Sequence, residues 1–192
     1  MRSDALRRRQ ALLLAARSLF SQRGREVPLE AVADEAGVGI ATLYRNFSSR
    51  QDLISELTHA LLTGVTEHAR RAQERLDDPE LDREGAALVW AEFVDLLVDL
   101  ELGALTQGLA VEAPGELTPE VRASQRVAAV EVEAVLAKLR SHGLVRDDVG
   151  PLDVVLGLGL VTRPLPQAIG RGVPGMAARM VEIFVAGMRP VS

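Results

Sequence analysis

The chain has 192 residues, 47% of them hydrophobic but only 3% aromatic, and it contains no cysteine. That is enough apolar material for a sizeable core of Ala, Leu and Val, which argues against general disorder and excludes disulfides, thiolate chemistry and cysteine-ligated metal. The net charge of −5 is unevenly spread: residues 1–55 hold nine arginines and six acids (+3), which leaves thirteen bases and twenty-one acids (−8) for residues 56–192.

Such asymmetry fits a small basic head that meets phosphates, carried by a larger acidic body. No stretch approaches the roughly 20 apolar residues of a membrane span, and Leu12-Leu13-Leu14 is too short for the apolar core of a targeting peptide. The expected location is therefore the cytoplasm, with no membrane partner.

Taken in chain order, residues 4–22 predict a first helix with Leu6, Leu13, Ala16 and Phe20 on one face and Leu12 and Leu19 beside them. Arg7, Arg8 and Arg9 cluster near its start, either as a solvated charge run or as phosphate contacts. Gly24 is a plausible C-cap. Pro28 suits the first turn of a second helix, where its missing N–H costs nothing, and Leu29, Val32, Ala33 and Ala36 form its apolar stripe. Gly37 supplies a permissive backbone for a turn. A third helix then buries Ile40, Leu43 and Phe47 and presents Thr42, Tyr44 and Arg45. A small helix with a polar outer face fits the major groove of DNA, about 12 Å wide.

Ser48-Ser49-Arg50-Gln51-Asp52 holds two overlapping capping boxes, Ser48 with Gln51 or Ser49 with Asp52. They predict a long fourth helix to about Leu76, closed by Asp77-Asp78-Pro79. An apolar amphipathic segment over 84–102 carries Trp90 and Phe93. A short helix over 104–110 and the breaker Ala113-Pro114-Gly115 follow. A helix from Pro119 to Ser141 is stopped by Gly143, and another from Pro151 to Val161 carries Gly157 and Gly159, which either allow close helix approach or break it. A loop-like stretch runs from Arg163 to Gly175, and 176–188 is a last amphipathic helix. The expected fold is all-α with about nine helices: a three-helix helix-turn-helix DNA-binding domain over 1–48, then a helical bundle over 49–192.

The head is closely similar to that of the TetR family of bacterial regulators. The resemblance rests on Ala15-Ala16-Arg17-Ser18-Leu19-Phe20, Val32-Ala33-Asp34-Glu35-Ala36-Gly37-Val38, Gly39-Ile40-Ala41-Thr42-Leu43-Tyr44-Arg45-Asn46-Phe47 and Ser49-Arg50, which span about the first 55 residues. A weaker echo lies in residues 143–149 and in Gly187-Met188-Arg189-Pro190. The resemblance implies that Gly39 and Ile40 open a recognition helix and that Ala41, Thr42 and Tyr44 meet bases and phosphates. Arg45 extends that surface. Asn46 stands where the family often has His, Arg50 replaces a usual Lys, and Val27-Pro28 replaces threonines, with loss of a side-chain cap and a phosphate-binding hydroxyl. By chemistry, Thr42 suits a thymine methyl and Arg45 a guanine edge, while Tyr44 and Arg50 would hold phosphates.

For the body the resemblance implies that residues 49–192 are an effector-binding and dimerisation domain, with a small effector and a dimer. Leu61, Val65, His68, Trp90, Phe93, Leu97, Gln107 and Val127 are the candidate pocket lining, beside the plainer reading of Trp90, Phe93 and Leu97 as core and of His68 as solvent-facing. Leu152, Val155, Leu156, Gly159, Met176, Met180, Ile183, Phe184 and Gly187 are the candidate dimer seam, which would close as a four-helix interface. Glu131 and Glu133 are most simply a wet face.

The leading expectation is a dimeric repressor of a palindromic operator, released by a small hydrophobic effector. The alternative is a helix-turn-helix protein without an effector, controlled by a protein partner. An enzyme is not expected. The sequence offers no nucleophile–base pair, phosphate loop or metal cluster, and His59, His68 and His142 are too scattered to chelate. No cofactor is expected.

Overall fold

A computed structural model describes residues 2–24, 26–100, 118–163 and 172–190. Among these, all regular structure is helical, in eight helices: α1 (Arg2–Arg23), α2 (Leu29–Glu35), α3 (Ile40–Asn46), α4 (Arg50–Leu76), α5 (Arg83–Asp99), α6 (Pro119–Ser141), α7 (Pro151–Val161) and α8 (Met176–Gly187). The expected helix over 104–110, the breaker at 113–115 and Gln107 lie outside the described residues, as does most of the expected loop.

Helix boundaries follow local chemistry. Ser49 caps α4 by accepting the Asp52 N–H at 3.1 Å, and the Asp52 carboxylate accepts the Ser48 N–H at 2.8 Å. The return bond of the expected capping box therefore goes one residue further back. Asp82 caps α5 through the Gly85 N–H, and Thr118 caps α6 ahead of a proline in its first turn. Such caps satisfy backbone donors that a helix start leaves orphaned.

Between α2 and α3 the turn is set by Gly37, at φ +67. Its N–H reaches the Asp34 carbonyl at 3.0 Å, and the Val38 N–H reaches that of Ala33 at 3.0 Å. These two bonds end α2 with a left-handed residue, which glycine adopts without a Cβ penalty.

Two separate cores result. The head core gathers Leu12, Ala16 and Phe20 of α1, Val32 of α2, Leu43 of α3, Phe47 and the α4 residues Leu53, Ile54 and Leu57. The body core begins at Val65 of α4 and continues through Phe93 and Leu97 of α5, Leu136 and Leu139 of α6 and Leu158 of α7. From Thr58 to Gly64, α4 has no buried residue. Each large apolar side chain so buried is worth about 1.5–3 kcal/mol. Leu6 is 62% exposed, against the expectation of a buried face. The α1 members of the head core start at Leu12, so the first turns of α1 have nothing apolar to meet.

In the body, α4 and α6 form the main packed pair. Glu131 of α6 is clasped there: Gln73 donates to it at 2.8 Å and Arg70 Nε at 2.9 Å, and these two bonds, Gln73 foremost, hold its carboxyl below the usual range. Glu133 pairs with Arg140 at 2.6 Å. The wet-face reading is thus corrected for Glu131, whose side chain is 20% exposed and held from α4, whereas Glu133 remains 47% exposed beside Arg140. Gly157 does not break α7. A Cβ there would fall 2.1 Å from Cζ of Phe184, so the ring of α8 rests directly on the α7 backbone.

Candidate nucleic-acid interface and body cavity

Leu43 and Phe47 are fully buried and anchor α3 in the head core. That fixes which side faces out. Gly39, Ala41, Tyr44 and Arg45 are exposed, with Tyr44 at 51%, while Ile40, Thr42 and Asn46 are half-buried. The outward set is internally tied. Arg45 folds back, with Nε donating to the Ala41 carbonyl at 3.2 Å and Nη2 to the Thr42 hydroxyl at 3.0 Å. Asn46 Nδ2 donates to the Thr42 carbonyl at 2.8 Å. Arg50 Nη2 donates to the Val27 carbonyl at 2.8 Å, which ties the start of α4 to the approach of α2.

Arg9 holds a position the sequence did not disclose. Its guanidinium lies 4.5 Å from the Phe47 ring centroid, donates to the Asn46 carbonyl at 2.8 Å and meets Glu56 at 3.2 Å. It therefore clamps the end of α3 to α1 and α4. Arg7 instead pairs with Asp4 on its own helix. The three arginines are not one charge run, and no pattern in the sequence separates them.

A cavity of about 810 Å³ lies in the body. From α4 it takes Leu62 and Val65, from α6 Pro119, Arg122, Gln125, Arg126, Ala128 and Ala129, and from α7 Pro151, Leu152, Val155 and Leu156. Of the expected pocket lining, Val65 is on this wall. Trp90, Phe93 and Leu97 are buried in the core instead, with the Trp90 and Phe93 rings 6.0 Å apart. Val127 is exposed on α6, and Gln107 lies outside the described residues. Leu61 lines a smaller cavity of about 150 Å³ with Leu13, Leu14, Arg17 and Leu100, at the junction of head and body. Arg17 also donates to the Asp99 carbonyl at 3.2 Å, so α1 touches the end of α5 there. The spacing of Arg122, Gln125 and Arg126 was the one available signal of the cavity's polar side; which helices face across it was not readable.

His68 Nδ1 is buried with no hydrogen-bond partner among the described residues. Burial and then Arg71 lower its pKa from the ordinary 6.5, against Glu67 and Asp99. The folded state resists a proton that the unfolded chain takes up near pH 6.5, so stability should fall as pH drops through that value and level off below the folded pKa. Thermal melts from pH 7.5 to 5.5 should show a smaller loss for His68→Gln than for the native chain. An equal loss would dismiss the buried imidazole as its source.

Of the expected dimer residues, Leu152, Leu156, Ile183 and Gly187 are exposed; Val155, Met176, Met180 and Phe184 are half-buried; Gly159 is buried. Leu160 joins them at 70% exposure, beside Ile183 at 62%. Leu152, Val155 and Leu156 also reach the cavity wall.

A three-helix head with a buried anchor and a polar outward helix defines a helix-turn-helix DNA-binding module. Comparison with known proteins gives its family. Residues 12–57 match the model of "Bacterial regulatory proteins, tetR family", and they form a TetR-family DNA-binding head. The HTH-type transcriptional regulator SAB2452 of Staphylococcus aureus is 41% identical over 54 residues, which is 28% of this chain and 29% of that protein. The match thus spans less than a third of the curated relative.

Over its whole length the chain has the fold of solved TetR regulators. LfrR of Mycobacterium smegmatis, solved in complex with proflavine, aligns with a TM-score of 0.65 at 20% identity, over 96% of this chain and 98% of that one. CprB of Streptomyces coelicolor, solved in complex with its operator sequence, aligns with a TM-score of 0.58 at 24% identity, over 97% and 90%. SAB2452 and LfrR are both named as transcriptional regulators. No helix among the described residues is long and apolar enough to cross a membrane.

Proposed function

We propose that this chain is a dimeric, ligand-responsive transcriptional regulator, most simply a repressor released from a palindromic operator. The observation that carries the reading is one molecule holding an outward helix on a rigid head and, joined to it by the continuous α4, a cavity of about 810 Å³. That volume falls in the range of small-molecule sites, about 300–1,000 Å³. The proflavine complex of LfrR supports a small-molecule role for this fold.

In this reading Thr42, Arg45 and Asn46 choose the sequence. Arg45 and Thr42 exchange their mutual hydrogen bond for base edges, and Tyr44 holds a phosphate. A ligand shifts the population toward a body conformation whose α4 lever spreads the two heads away from half-sites roughly 34 Å apart. Control by a protein partner instead draws on the solid packing of Trp90, Phe93 and Leu97, but those residues sit beside the cavity's helices without filling it.

The test is fluorescence anisotropy on the DNA flanking the gene. Tyr44→Phe should weaken binding to all sequences about equally and leave the salt slope unchanged, since the lost phosphate contact carries no charge. Arg45→Ala should relax base preference at one position of each half-site, by about 1–3 kcal/mol. Native affinity in the double variant would remove α3 from the interface.

A further inference from the structure

The cavity wall divides by chemistry. α4 and α7 give it only apolar side chains such as Leu62, Val65 and Leu156, whereas α6 adds the exposed Arg122, Gln125 and Arg126 to its own Ala128 and Ala129. Positions i, i+3 and i+4 share one helix face, so the three polar side chains form a single patch opposite the apolar sides. No carboxylate is among the described lining residues.

The contrast with the rest of the body is sharp. In a region of net charge −8, most of the described arginines are engaged: Arg70 with Glu131, Arg75 with Glu92, Arg140 with Glu133, Arg146 with Asp148, and Arg83 on the carbonyls of His142 and Gly143 just past α6. Arg122 and Arg126 form no ion pair or hydrogen bond among the described residues. The neighbouring Glu120 is committed to its own helix start, where its backbone N–H and Thr118 hold it more than Arg122 does. Two guanidiniums beside an apolar hollow are a fork waiting for an oxyanion, since Arg presents planar paired donors to carboxylates and phosphates. The positive end of the α6 dipole adds to the same side.

We infer that the cavity takes an amphiphilic organic anion, with its apolar body against α4 and α7 and its oxyanion head across Arg122 and Arg126, where Gln125 supplies a further donor. The volume accommodates a chain of about ten carbons or a two-ring acid. The inference rests on the effector reading and gives it a charge: neutral and cationic molecules of the same shape are disfavoured.

Isothermal titration of the full chain with decanoate, decanol and decyltrimethylammonium isolates the head group on one apolar tail. Decanoate should bind about tenfold or more tighter than decanol, with the cation weakest, and added salt should narrow the gap. Arg122→Gln with Arg126→Gln should weaken decanoate by about tenfold and leave decanol unchanged, which also shows that the variant is folded. Ala129→Trp should remove both ligands by filling the cavity. Equal affinities for decanoate and decanol, or decanoate binding that survives either variant, would overturn the anion assignment. Failure of all three ligands would overturn it as well. Arg-dependent decanoate binding that leaves operator affinity unchanged at saturation would uphold the anion site and remove the effector reading alone.

Discussion

Phe47→Ala should cost about 3–5 kcal/mol of stability, in the range for deleting a buried aromatic, and should abolish operator binding while leaving the body folded. Phe47 ends α3, is fully buried and carries the Arg9 guanidinium over its ring. Without it the recognition helix loses its floor and its lateral clamp together. Arg9→Gln separates the two: the core stays filled, but the bond to the Asn46 carbonyl and the stacking on Phe47 go. A loss of about 1–3 kcal/mol is expected there, with a smaller fall in DNA affinity. Urea unfolding followed by far-ultraviolet dichroism, beside anisotropy on the same DNA, measures both. A Phe47→Ala protein with native operator affinity would show that α3 is not held in the way described.

The double variant Leu160→Glu and Ile183→Glu should convert a dimer to monomers and reduce operator affinity by a hundredfold or more, since two half-sites are then no longer held by one body. Both side chains stand largely exposed on α7 and α8, and Phe184 lying on Gly157 draws the two helices together into one apolar surface. Each large side chain that such a surface buries contributes about 1.5–3 kcal/mol, less the cost of association, whereas a buried unpaired carboxylate strongly opposes pairing. Sedimentation velocity reads the mass directly. A variant that remains dimeric would move the seam off these helices.

The head was the most legible part of the molecule. Spacing, Gly37 and the apolar set of Leu43 and Phe47 define the turn and the outward side of α3 without any tertiary knowledge. The starts of α6 and α7 were equally plain, because Pro119 and Pro151 mark first turns, and Gly143 marks the stop of α6. Leu6 shows the limit: periodicity tells which side of a helix is apolar but not where its neighbours end.

The cavity was illegible for a related reason. Trp90, Phe93 and Leu97 attract attention as large groups on one stripe, yet stripes of large groups fill cores. The hollow is instead bounded by smaller residues and by helix starts that meet across long sequence separations. Arg9, likewise, is distinguishable from Arg7 only by what stands opposite it in three dimensions.

The stretch of α4 from Thr58 to Gly64, where no side chain is buried, has a consequence for how such proteins diversify. Neither set of buried side chains borrows a member from the other, so the front of the molecule is exchangeable for another of its kind by a splice within one helix. Apart from the Arg17 contact with the end of α5 and the junction cavity that Leu13 and Leu14 share with Leu61 and Leu100, little has to be re-matched. A chimaera joined in that stretch should therefore answer to the old signal while addressing a new stretch of genome.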